Sequence, residues 1–115
     1  MQTMISWLDE AIADSRSRQQ TLRQEYRQDE AVFEKVQENV YDIFRTVLSV
    51  ALRQHGDSAE ARAFFDLRLE QIPAAWLSSQ QQARRHGDDR KAHTEQLKLQ
   101  ALAAIQAAWQ GTQEG

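Results

Sequence analysis

VFEKVQENVYDIFRTVLSVAL, residues 32–52, decides how the chain is read. In helical register Phe33, Val36, Val40, Ile43, Val47 and Val50 recur at alternating spacings of three and four, which makes one apolar seam. Tyr41, Phe44, Leu48 and Ala51 form a second seam beside it, leaving only Asp42, Arg45, Thr46, Ser49 and Arg53 for water beyond Val40. A helix apolar over most of its circumference belongs in the middle of a bundle. The pattern therefore predicts near-complete burial of Phe33, Val40, Ile43, Phe44 and Val47.

The flanking sequence is helical in character too. One proline, four glycines and no alternating β-branched runs leave neither strands nor hairpin turns. A first helix over roughly 3–27, with Thr3 as N-cap, puts Ile5, Leu8, Ile12, Leu22 and Tyr26 on one stripe that polar Ser15 and Gln19 interrupt. Trp7 lies off that stripe, at the periphery of the core or on a face that wants a partner. No glycine or proline separates this helix from the next, so one continuous helix of about fifty residues is an open alternative. A chain reversal with Asp29 as N-cap of a helix over 29–55 is preferred, because it lets a small domain close on itself.

Gly56 suits a left-handed helix end, and Asp57 to Glu60 resembles an acidic capping box opening a third helix over 58–86. Pro73 falls inside that helix and is expected to bend or restart it. Ser78 to Arg85 form a polar arm ending at Gly87. Asp88 or Asp89 then caps a fourth helix over 88–110, and Gly111 to Gly115 should fray. The expected fold is all-α: a compact antiparallel four-helix bundle, third helix bent at Pro73, as a single domain over 1–115.

Composition narrows the function classes. With no cysteine there is no disulfide framework, thiolate metal site or cysteine nucleophile, which favours the cytoplasm. Met1 to Glu10 carry no lysine or arginine, so no secretory signal is expected, and no uncharged run resembles a membrane span. A formal net charge of −3, evenly spread, gives no electrostatic reason to expect nucleic acid.

Few constellations carry chemistry. Of the three histidines, His55 and His86 sit at helix ends and His93 follows the Gly87 break; none belongs to a Glu-x-x-His or His-x-x-x-His pair, so no metal site or cofactor is expected. No phosphate loop and no nucleophile paired with a base is present. Asn39, Asp42 and Arg45 flank the apolar seam and are the candidate polar cluster for a ligand. Trp7, Arg84 and Arg85 are the candidate interaction surface. The run Asp29-Glu30-Ala31, Phe33 and Asn39-Val40-Tyr41-Asp42-Ile43-Phe44, extending through Pro73 and Trp76 to His93, resembles small helical bacterial proteins that carry no assigned function. The resemblance implies a four-helix fold and a helix start at Asp29, and transfers no activity. A non-enzymatic interaction protein, acting on a protein partner or on itself, is the expected function; a ligand-binding or enzymatic bundle around Asn39, Asp42 and Arg45 is the alternative.

Overall fold

The computed structural model describes the backbone of residues 1–114 and the side chains of residues 1–112. Four helices follow one another: α1 (Gln2–Gln24), α2 (Gln28–His55), α3 (Ala59–Arg85) and α4 (Asp89–Glu114). Sequence neighbours run antiparallel, as the cross-helix pairs Gln19–Glu38, Phe44–Phe65 and Phe65–Trp109 show. Among the described residues α2 packs against each of the other three, whereas the backbones of α1 and α3 stay apart. The section is thus a flattened rhombus with α2 and α4 across its short diagonal.

Met4 and Leu8 of α1, Val40, Phe44 and Leu48 of α2, Phe65 and Leu69 of α3, and Ala101, Leu102, Ile105 and Trp109 of α4 form one buried cluster. Phe65 is its hub, edge-on to Phe44 at 6.2 Å and to Trp109 at 4.7 Å, in the perpendicular arrangements that aromatic quadrupoles favour. The indole of Trp109 donates to exposed Asp66, so its polar edge is satisfied at the rim of the core.

The core stripe of α2 is Val40, Phe44, Leu48 and Ala51, that is, the second seam read from the sequence joined by Val40 of the first. Val40 and Phe44 are buried as expected, while Phe33 and Val47 are half-buried and Ile43 is 39% exposed. The reason is geometric: three neighbours cover an arc of α2 but leave its remaining flank open, and Ile43 sits on that flank. Tyr26, expected on the α1 stripe, is 90% exposed because the helix has already ended.

The turns explain where each helix stops. At the end of α3 the Asp88 N–H donates to the Ala83 carbonyl and the Gly87 N–H to Arg84, with Gly87 at φ 71°: a Schellman ending. The end of α1 repeats this pattern, with Arg27 donating to Leu22 and Tyr26 to Arg23, but Tyr26 takes the left-handed position at φ 60°. The chain therefore reverses at Glu25–Arg27. Asp29 is not the N-cap: α2 starts at Gln28, its N-cap Arg27 makes no side-chain cap bond, and Asp29 and Glu30 instead complement the positive end of the helix from within the first turn. Gly56 at φ 66°, ψ −169° occupies a region open to glycine rather than the ordinary left-handed well.

Ser58, not Asp57, caps α3, its hydroxyl accepting from the Ala61 N–H. Asp88 caps α4, accepting from the Lys91 N–H. α3 continues through buried Pro73 without a restart. α4 runs on through Gly111 to Glu114, and the Thr112 hydroxyl donates to the Trp109 carbonyl; Gly115 lies outside the described residues.

Candidate functional site

Ser15 and Gln19, which break the apolar stripe of α1, are buried against an equally polar patch of α2. The Ser15 hydroxyl donates to the Glu34 carbonyl at 3.1 Å, and the Gln19 amide donates to Glu38 Oε1 at 2.8 Å. Lys35 reaches the other oxygen of Glu38 at 2.7 Å, and Arg16 approaches from outside at 3.5 Å. Burial is the largest influence on Glu38 and by itself raises its pKa. The hydrogen bonds from Lys35 and Gln19, with the charges of Lys35 and Arg16, outweigh it and hold the carboxyl below the ordinary carboxylate range. Among the described residues every buried polar side-chain atom of this layer has a partner, so the layer locks α1 to α2. The sequence marked Ser15 and Gln19 as an interruption. Glu38, the matching polar residue on α2, passed unread because it adjoins the seam without breaking it.

Asn39, Asp42 and Arg45 do not converge. Arg45 turns to α1, donating to Asp9 at 2.8 Å and to the Ser49 hydroxyl, whereas Asn39 is exposed and Asp42 half-buried, each without a side-chain partner among the described residues. Arg84 and Arg85 are exposed in the last turn of α3, where their charge complements the helix dipole. Trp7 lies far along the bundle on α1, half-buried and edge-on to Tyr41 at 5.9 Å. Burial raises the Tyr41 phenol above its ordinary pKa, and the Glu34 charge adds to this against the opposing Arg18.

The histidines stay separate: His55 leans on Phe64, His86 ends α3, and His93 stands edge-on to Phe33 at 4.7 Å. Among the described residues no three of His, Asp and Glu gather in a group able to hold a metal ion. Glu95, not singled out in the sequence, is buried with one oxygen paired to Lys98 at 3.2 Å and the other unpartnered.

On the outer flank of α2, Val32 and Ile43 are 52% and 39% exposed, and half-buried Val36 lies between them on the same stripe. The spacings of four and seven keep the three on one line of the helix. Elsewhere the surface has open grooves, one of them apolar, between Pro73, Ala74 and Leu77 of α3 and Leu99 and Leu102 of α4. Among the described residues no helix is long and apolar enough to cross a membrane. Comparison of the chain with protein-family models, curated proteins and solved structures returns no match.

Proposed function

We propose that the chain is a non-enzymatic protein–protein interaction module that docks a second copy of itself on the outer flank of α2. The observation that carries this reading is the stripe Val32–Val36–Ile43, exposed at both ends, on the helix flank beside the core face. Aliphatic side chains aligned along an exposed helix face are what a partner helix covers. The stripe is self-complementary. An antiparallel pairing about a two-fold axis near Gln37 and Glu38 sets Val32 of each copy against Ile43 of the other, and brings Lys35 towards Asp42, whose side chain has no partner among the described residues.

A stripe of this size makes a weak, concentration-dependent dimer rather than an obligate one. Cytoplasmic residence belongs to the same proposal and is supported by the cysteine-free composition. The reading of a ligand pocket at Asn39, Asp42 and Arg45 draws no support, since only Arg45 is engaged and its partner is structural.

Sedimentation velocity over a concentration series tests the proposal. The wild-type chain should show a rising weight-average mass, and Ile43→Lys should remain monomeric with an unchanged helical circular dichroism spectrum. A chain that stays monomeric at millimolar concentration, or an Ile43→Lys variant that associates like wild type, would overturn it.

A further inference from the structure

We propose that the depression framed by Trp7 and Tyr41 binds an alkylammonium cation, seated against the two aromatic rings and between the carboxylates of Glu10 and Asp14. The site lies on the α1 side of α2, away from the Val32–Ile43 stripe, and does not rest on the self-association proposed above.

Trp7, Glu10, Ala11 and Asp14 follow one another at helical spacing along a single face of α1, and Tyr41 joins them from α2. Together with Arg18 they line a depression of about 220 Å³. The rings stand at 84° with centroids 5.9 Å apart, so they form two walls of a corner rather than a flat stack. Two aromatic walls at right angles offer an ammonium group with apolar substituents both contact area and the negative potential of the π-systems.

The electrostatics agree. Glu10 and Asp14 form no ion pair among the described residues. Arg18, the one cation lining the site among the described residues, is committed to Glu34, with its Nε and Nη2 both 2.9 Å from the carboxylate. The neighbouring Asp9 and Arg45 neutralise one another at 2.8 Å. The local balance facing the rings is therefore negative. A metal ion is poorly served, because the exposed acids leave it hydrated while the aromatic walls offer it no ligand; a cation whose charge is spread over methyl or methylene groups gains from both. Such a group arises on a free small amine and on a lysine side chain, methylated or not, carried by a protein.

The test is an NMR titration of the intact chain with tetramethylammonium chloride. It follows the Trp7 indole N–H, assigned with Trp7→Phe, and the Tyr41 ring, with sodium chloride matching the ionic strength. Both signals should shift and saturate with a Kd on the order of 1–10 mM, the range set by two exposed cation–π contacts and two screened carboxylates. The double variant Glu10→Gln/Asp14→Asn, which alters only exposed and unpaired groups, should bind at least about fivefold more weakly. Trimethyllysine in a short neutral peptide supplies the second arm: tighter binding than the free cation assigns the site to a protein-borne side chain, and equal or weaker binding assigns it to a free amine. No saturable shift, equal binding of the neutral isostere tert-butanol, or an unchanged affinity in the double variant would overturn the proposal.

Discussion

Tyr26 holds a left-handed backbone, φ 60°, at the position of a Schellman ending that glycine ordinarily fills. Its ring is 90% exposed, so little packing offsets the clash between Cβ and the following carbonyl. Tyr26→Gly should therefore stabilise the protein by about 1 kcal/mol in reversible denaturation; a loss of stability would show that the ring makes a compensating contact. The same residue shows why the first turn was misplaced by sequence reasoning. Endings at Gly56 and Gly87 announce themselves, whereas a tyrosine in the left-handed well leaves no compositional signal, and Asp29 looked like the better cap. Glu38 poses the opposite problem, a buried charge at a position that sequence pattern leaves unmarked. Its folded pKa lies below its unfolded value, so the unfolded chain binds more protons as the solution is acidified. The stability it contributes is full above the unfolded carboxylate pKa and is lost as pH falls through the folded one. Melting temperature should drop across that acid range, and Glu38→Gln should flatten the drop; an equally steep profile in the variant would place the acid sensitivity elsewhere.

At the level of the element, α2 was legible as the central helix because no other stretch supplies apolar residues to so much of its circumference. Its orientation was not. Two adjacent seams fix a broad apolar face without saying which edge a neighbour covers, and Ile43 and Phe44 exchange roles on that ambiguity: Phe44 is fully buried and Ile43 is 39% exposed. The polar layer resolves it, since Glu34 and Glu38 hold α1 to one flank of α2 and leave the other flank free. Phe44 touches the hub residue Phe65, and Phe44→Ala should cost about 3–5 kcal/mol, a large part of the stability of a domain this size. Ile43→Ala, one position along, should cost well under half of that. Comparable losses for the two, measured by denaturant unfolding, would show that both seams are buried and would refute the orientation of α2. The continuous helix of about fifty residues is refused on the same grounds: Ser15 and Gln19 find their partners on α2 of the same chain only if the backbone reverses.

The whole molecule measures 43 × 35 × 23 Å, its long axis matching one helix of this length and its short axis the thin direction of the rhombus. A cross-section in which α1 and α3 stand apart has little depth in which to enclose a cavity, and its surface is correspondingly rich in long helix flanks. That shape, more than any motif, points to work done on the outside: an aliphatic stripe on one flank of α2 and an aromatic, acidic corner on the other. The sequence names Trp7 as part of an interaction surface; Val36 and Ile43 of the stripe it assigns instead to an inward seam, because hydrophobic spacing alone does not distinguish a residue covered by its own chain from one awaiting a second copy. The absence of cysteine from the chain makes the distinction measurable, since a single introduced thiol reports on one position only. The thiol-labelling rate of Ile43→Cys, set against that of Leu67→Cys, a position on α3 that is 49% exposed against 39% for Ile43, should be followed as protein concentration rises. The rate at position 43 is expected to fall as copies associate while that at position 67 holds constant; a rate at position 43 as independent of concentration as that at position 67 would contradict the claim that α2 carries the interaction face.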